Sequence, residues 1–261
     1  MLTRCLGYAD YLWAALLQAV TEFLPVSSKS IVLLYLTFAG WTPVRAYQFA
    51  LLLHFPSALA LIVVLRRELW AALFDAEYRR SVLIALMASF GVGVPLYWLV
   101  LALLAQVSLV EVRLLIGAIL VAIGTVHMHW KVRGTSTITD KAALLSGILQ
   151  GVAVIPGVTR LGATLLGLFL YRTNPKEALS FSYLIGTPVM IASALEVLVL
   201  ESVGIGLNVV VALIVCCIAS VGVCVGLLKL AERTPMWVFT LGTGVLILVF
   251  FTALAITGKS G

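Results

Sequence analysis

The chain has 261 residues, of which 62% are hydrophobic and only 11% charged, where a soluble domain carries roughly 25% charged residues. Its 17 Lys and Arg and 11 Asp and Glu side chains are too few to cover a sphere of this size. This excludes a soluble enzyme, a disordered chain and a solenoid with a wet surface, and leaves lipid as the solvent. The net charge of +6 does not point to nucleic acid, because the basic residues lie in short clusters between apolar runs, with no basic helix carrying interleaved aromatics.

A plain transmembrane helix needs about 20 mainly apolar residues. The first apolar stretch, about Leu12 to Ala39, is long enough but is interrupted by Glu22, Pro25, Ser27, Ser28 and Lys29. Proline breaks the helical hydrogen-bond ladder, and a charge at bilayer depth is costly unless it faces a cavity or a partner. The stretch therefore reads as a re-entrant helix–break–helix hairpin, which is tolerated where it is buried in protein or lines a wet cavity. Three uninterrupted spans follow, about Ala46 to Leu65, Ser81 to Leu104 and Val112 to Trp130. A second broken stretch, about Lys141 to Tyr171, carries Pro156, Gly157, Thr159 and Arg160. Three more spans complete the order, about Leu179 to Leu200, Leu207 to Leu230 and Met236 to Ile256. Arg4 precedes the first stretch with no small-residue cleavage site ahead of a mature domain, so no cleavable signal peptide is expected.

The expected fold is an all-α polytopic membrane protein, with six transmembrane helices plus two re-entrant helical hairpins in an inverted-topology repeat. Residues 1–261 form a single membrane domain with repeat halves 1–131 and 132–261. The repeat rests on Leu17-Gln18-Ala19-Val20, echoed by Leu149-Gln150-Gly151-Val152, each followed by a proline, a valine and hydroxyl residues. Three spans per half is an odd number, so the second half enters from the opposite side, and such repeats place their site at the midplane where the broken elements meet. If each hairpin returns to its own side, Arg66, Arg67, Arg79, Arg80, Lys131, Arg133, Lys141, Arg172, Lys176, Lys229 and Arg233 share one face, and Arg4, Arg45, Arg113 and Lys259 the other. The positive-inside rule places the first set in the cytoplasm and both termini outside.

Asp10, Glu68, Asp75, Glu77, Glu111, Asp140, Glu177, Glu201 and Glu232 fall in or beside expected loops, and Glu196 near the outer end of a span, within snorkelling reach of water. Glu22 lies deep in an apolar segment beside a proline break, and Arg160 is its match on the other hairpin. An intramembrane ionisable group points to a functional site. If the hairpins meet, the two are neighbours, surrounded by Ser27, Ser28, Lys29, Thr159, Thr164 and the amides around Gly157. A buried ion pair that only locks the hairpins together needs no such crowd of donors, whereas a phosphate does. Cys5, Cys216, Cys217 and Cys224 lack metal-binding spacing and read as small core residues. His127 and His129 sit at a helix end, and the lone His54, inside a span, reads first as hydrogen-bonded structure.

At these residues the sequence resembles the undecaprenyl-diphosphatase family, the bacitracin-resistance proteins of bacterial membranes. The family's motif E/Q-x-x-x-E-F-L-P-V-S-S-T-G-H stands here as Gln18-Ala19-Val20-Thr21-Glu22-Phe23-Leu24-Pro25-Val26-Ser27-Ser28-Lys29-Ser30-Ile31, and P-G-x-S-R-S-G-x-T as Pro156-Gly157-Val158-Thr159-Arg160-Leu161-Gly162-Ala163-Thr164. The stretch from Gly147 to Pro188, including Phe181-Ser182-Tyr183-Leu184, follows the pattern too. Ile31 stands in the place of the motif histidine, Lys29-Ser30 in the place of Thr-Gly, Thr159 in the place of the first serine and Leu161 in the place of the second. The resemblance implies six spans with two re-entrant hairpins in a prokaryotic plasma membrane. It also implies hydrolysis of undecaprenyl diphosphate to the monophosphate at an outward-facing site, which recycles a lipid carrier for cell-envelope glycan synthesis.

On that reading Arg160 clamps the terminal phosphate, with Lys29 as a second cation. Gln18, Ser27, Gly157 and Thr164 complete the phosphate-binding set. Ser28 and Thr159 donate to phosphate oxygens or supply a nucleophile, and Glu22 acts as general base or holds a divalent cation, Mg or Ca, on the diphosphate. His54 is a candidate substitute for the missing histidine. The expected partners are a polyprenyl diphosphate lipid, the bilayer and a second copy in a homodimer. The rival reading is a flippase for polyprenyl phosphate, since paired broken helices around a midplane anion site also suit alternating access.

Overall fold

The computed structural model describes residues 7–24, 27–104, 137–155, 158–173, 175–200 and 206–231, with further helical residues between 117 and 129 and between 237 and 252. The expected spans Val112 to Trp130 and Met236 to Ile256 lie largely outside the described residues, as do Pro25, Val26, Pro156 and Gly157. The described residues form an all-helical protein with no β-strand among its elements.

Both interrupted stretches are helix–break–helix units. The first comprises α1 (Tyr8–Thr21) and α2 (Ser28–Phe38). The second comprises α7 (Asp140–Val152) and α8 (Arg160–Leu170). Each outgoing helix starts on a hydroxyl residue in extended conformation, Ser27 for α2 and Thr159 for α8. Thr159 Oγ1 accepts from the Gly162 amide at 3.3 Å, the usual way of satisfying an orphan N–H at a helix start.

Between the hairpins lie α3 (Pro43–Leu52), α4 (His54–Val64), α5 (Arg66–Phe74) and α6 (Ala76–Leu104). The expected span over Ala46 to Leu65 stands as the apolar segment Pro43–Val64, built of two helices parted at Leu53. Pro56 is the cause: it has no N–H for the carbonyl four residues back, at Leu52, and its ring crowds that carbonyl. A short helix not foreseen in the sequence, α5, takes in Glu68, expected in or beside a loop. Its Trp70 and Phe74 rings stack 5.8 Å apart and are exposed, as aromatic residues are at membrane interfaces. Arg79 Nη1 caps its end by donating to the Leu73 carbonyl at 3.0 Å. Asp75 Oδ1 then accepts from the Glu77 amide at 3.0 Å and starts α6.

After the second hairpin come α9 (Pro175–Leu200) and α10 (Leu207–Ala231). Segments at Pro43–Val64, Ala76–Val100, Glu177–Val199 and Leu207–Gly226 are long and apolar enough to cross a membrane. Their outward faces carry exposed apolar side chains such as Leu83 and Met87 on α6 and Ile214 and Ile218 on α10, so the chain is a multi-pass membrane protein. Cys216 and Cys224 are buried, as expected of small core residues.

The two helix–break–helix units pack against this frame. α1 packs along α10, α7 along α6, and α4 against both α9 and α10. The α6–α7 contact is close because small residues line it: a Cβ on Gly151 would stand 2.8 Å from Val92 Cβ and 2.9 Å from the Ser89 carbonyl oxygen. Small residues let helix backbones approach in this way in membranes. The breaks leave backbone carbonyls that lipid cannot satisfy. Side chains from distant elements supply the donors. Tyr183 Oη donates to Phe23 O at 3.1 Å, Tyr47 Oη to Val154 O at 2.8 Å, and Lys29 Nζ to Ala153 O.

Candidate active site

The two breaks face each other. Ser27, Ser28 and Lys29 at the start of α2, and Val158, Thr159, Arg160 and Leu161 at the start of α8, line one small pocket together with Glu22 and His54. Its volume is about 10 Å³, room for a water at most. Two helix N-termini therefore bring their positive dipole ends to one place, which is the arrangement that binds anions.

Glu22 is the centre of the polar contacts and is 5% exposed. Its Oε1 accepts from Arg160 Nη2 at 3.0 Å. Its Oε2 accepts from Ser28 Oγ at 2.5 Å and Gln18 Nε2 at 2.8 Å, and lies 3.4 Å from His54 Nε2. Glu22 sits where α1 has just ended and remains in helical conformation as its C-cap, so the break aims its side chain at the start of α2. Arg160 also donates from Nη1 to the Ser182 carbonyl at 3.4 Å. Its Nε is buried with no hydrogen-bond partner among the described residues.

The residues expected to bind phosphate divide into two groups. Ser27, Ser28, Lys29, Thr159 and Arg160 line the pocket. Ser27 Oγ shares a hydrogen with Ser30 Oγ at 2.5 Å. Gln18 and Thr164 are fully buried behind it. Gln18 holds Glu22 from the rear, and Thr164 Oγ1 donates within the first turn of α8, to Arg160 O and Leu161 O at 3.0 Å each, and meets Ser182 Oγ. Gly157 lies outside the described residues. Two residues were underrated by sequence. His54 is a wall of the pocket, brought there by the break at Leu53. Gly186 on α9 lies under the Arg160 guanidinium, where a Cβ would stand 1.5 Å from Nη1 and 2.6 Å from Cζ; no sequence signal marks it.

The donor set does not fit a divalent cation held by the protein. Among the described residues Glu22 is the one carboxylate lining the pocket, both of its oxygens are engaged, and Arg160 and Lys29 bring positive charge beside it. Among the described residues no group of three His, Cys, Asp or Glu side chains could hold a metal ion. An arginine with a spare buried N–H, a lysine and two helix N-termini suit an anion.

A second, larger cavity of about 390 Å³ adjoins the pocket. Its walls are mostly apolar, with Phe90, Val94 and Trp98 from α6 and Val189 and Met190 from α9. Lys29, His54 and Arg160 belong to the walls of both cavities. Glu196, near the end of α9, also lines the larger one.

Comparison with known proteins gives a consistent picture. A family model described as "Bacitracin resistance protein BacA" matches residues 11–248. An "Undecaprenyl-diphosphatase" from Methanothrix thermoacetophila is 32% identical over 184 residues, covering 68% of this chain and 70% of its own. One from Haloarcula marismortui is 32% identical over 85% of this chain and 89% of its own, and one from Sphingopyxis alaskensis 30% identical over 71% and 73%.

Proposed function

This chain belongs to the bacitracin resistance protein BacA family, and from that premise we propose that it is a membrane hydrolase that removes the terminal phosphate of undecaprenyl diphosphate or a closely similar polyprenyl diphosphate, returning the monophosphate to carrier use in envelope glycan synthesis. The observation that carries the reading is the convergence of two helix N-termini and Arg160, with its spare Nε, on the Glu22–Ser28 pair. The carboxylate of Glu22 holds the anion place beside Arg160. An incoming phosphate, with more charge and more acceptor atoms, takes Arg160 from it and engages the free Nε as well.

Freed from Arg160, Glu22 keeps its contact with Ser28, whose hydroxyl donates to it at 2.5 Å. A nucleophile hydrogen-bonded to its base is the arrangement of an activated serine. Ser28 attacks the terminal phosphorus, Glu22 takes the hydroxyl proton, and Arg160, Lys29 and the two sets of amides stabilise the equatorial oxygens. Positioning and electrostatics of this kind are most of phosphoryl-transfer catalysis. The adjoining apolar cavity suits the first isoprenyl units, the rest of the tail lying in lipid.

The inverted repeat is part of the same proposal. Equal sequence offsets relate Gln18 to Gln150, Ser27 to Thr159 and Ser28 to Arg160, and both α2 and α8 begin at the last of these pairs. The packing of α1 on α10 and of α7 on α6 relates by the same exchange and supports the reading. The distribution of Lys and Arg then puts both termini and the site opening on the outside.

The test is phosphate release from undecaprenyl diphosphate by the purified protein in detergent, with Glu22→Gln and Arg160→Ala as controls. Release by the native protein alone is expected. Movement of a polyprenyl phosphate headgroup across sealed vesicles with no phosphate released would replace hydrolysis by transport.

A further inference from the structure

His54 is the first residue of α4, next to the break at Leu53. Its Nδ1 lies 3.2 Å from the Leu51 carbonyl oxygen, which can only accept, so Nδ1 carries a hydrogen and donates it there. That leaves Nε2 facing Glu22 Oε2 at 3.4 Å. A bare ring nitrogen and a carboxylate oxygen repel, so a proton belongs between them. Lys29 from α2 and Arg160 from α8 face the same pair.

The position of His54 matters as much as its partner. The reading above seats the terminal phosphate in the polar pocket and the isoprenyl end in the apolar cavity. The oxygen bridging the two phosphates then lies at their shared wall, which includes Lys29, His54 and Arg160. Arginine does not give up a proton in proteins. Lys29 Nζ gives one of its three hydrogens to the Ala153 carbonyl and holds the phosphate oxygens with the others. Histidine is the side chain whose ordinary range suits proton transfer near neutrality.

We propose that His54 is the general acid for the leaving prenyl phosphate, doing from α4 what Ile31 cannot do from the motif position; the proposal rests on the diphosphatase reading. As the Ser28 oxygen bonds to the terminal phosphorus, the bond from that phosphorus to the bridging oxygen breaks. The Ser28 proton passes to Glu22, and the Nε2 proton of His54 passes to the departing oxygen, which leaves as the prenyl monophosphate. Glu22 returns its proton to His54 across their contact. Water then displaces the Ser28 oxygen from phosphorus, one water proton restoring the serine hydroxyl through Glu22, so that one water is consumed per diphosphate.

The experiment measures phosphate release from undecaprenyl diphosphate by the native protein and by His54→Gln, His54→Ala and the double variant Ile31→His/His54→Gln. The expected result is a kcat lower by about 10²–10⁴-fold in His54→Gln with little change in KM. Partial recovery of His54→Ala in added imidazole, and recovery in the double variant, complete the expectation. A native kcat in His54→Gln overturns the proposal and leaves the diphosphatase reading standing. Loss in His54→Ala that imidazole does not restore, with His54→Gln active, makes His54 a structural residue. No release by the native protein overturns both.

Discussion

Gly186→Ala tests the geometry around Arg160 at a position the sequence does not advertise. A Cβ there would stand 1.5 Å from Arg160 Nη1, 2.6 Å from Cζ and 3.3 Å from Nε. Ordinary contact needs about 3.5–4.0 Å, so the Nη1 end of the guanidinium must retreat by about 2 Å. The Nη2–Glu22 bond starts at 3.0 Å, so that retreat carries it out of hydrogen-bonding range. The clash meets the far end of a flexible side chain, so the stability cost lies at the low end of overpacking, about 1 kcal/mol. A 1 Å misplacement costs roughly 10²-fold in rate, or about 2.7 kcal/mol of transition-state stabilisation. The expected variant therefore folds almost normally and turns over slowly. Thermal unfolding in detergent and single-turnover phosphate release measure the two sides. A variant that keeps the native rate per folded molecule would refute the placement of Arg160 against Gly186.

Three further outcomes concern stability and are read by Tm in detergent. Tyr183→Phe removes the donor to the Phe23 carbonyl and is expected to cost about 1–3 kcal/mol, the penalty of an unsatisfied buried group. Gly151→Ala drives a Cβ against Val92 and the Ser89 carbonyl of α6, a backbone contact that cannot swing aside, and is expected to cost about 1–3 kcal/mol. Arg172 ends α8 with φ of 57°, and Thr173 N donates back to Leu168 O at 3.2 Å, the closure that normally carries glycine. Arg172→Gly is expected to raise stability by up to about 1 kcal/mol, the relief of left-handed strain less the entropy of glycine.

Much of this architecture is legible in the sequence because its signals are local. Pro25 and Pro156 beside charged residues in apolar runs mark both helix breaks, and Ser27 and Thr159 mark the helix starts that follow. Glu22 and Arg160 stand out because lipid makes them expensive, and the structure joins them at 3.0 Å. What sequence misses depends on distance in the chain. Pro56 acts four residues upstream of itself, so the break at Leu53 is easily overlooked, and with it the reason His54 reaches Glu22. Gln18 and Thr164 lie close in sequence to residues that line the pocket, yet helix geometry turns them to its rear. Gly186 is defined only by what rests on it, and α5 is too short for its apolar pattern to register as an element.

The side chains that close the two breaks cross between distant parts of the chain. Tyr183 serves a carbonyl made early in synthesis, at Phe23, while Lys29 and Tyr47 serve carbonyls made much later, at Ala153 and Val154. When the ribosome has delivered α1 and α2 to the membrane, the donor for their break is still more than a hundred residues from being synthesised. Until α9 arrives the Phe23 carbonyl lacks that donor, and lipid offers no other. Biogenesis of this protein therefore ends in one late docking event, and a truncated nascent chain that stops before α9 is expected to be a substrate for membrane quality control.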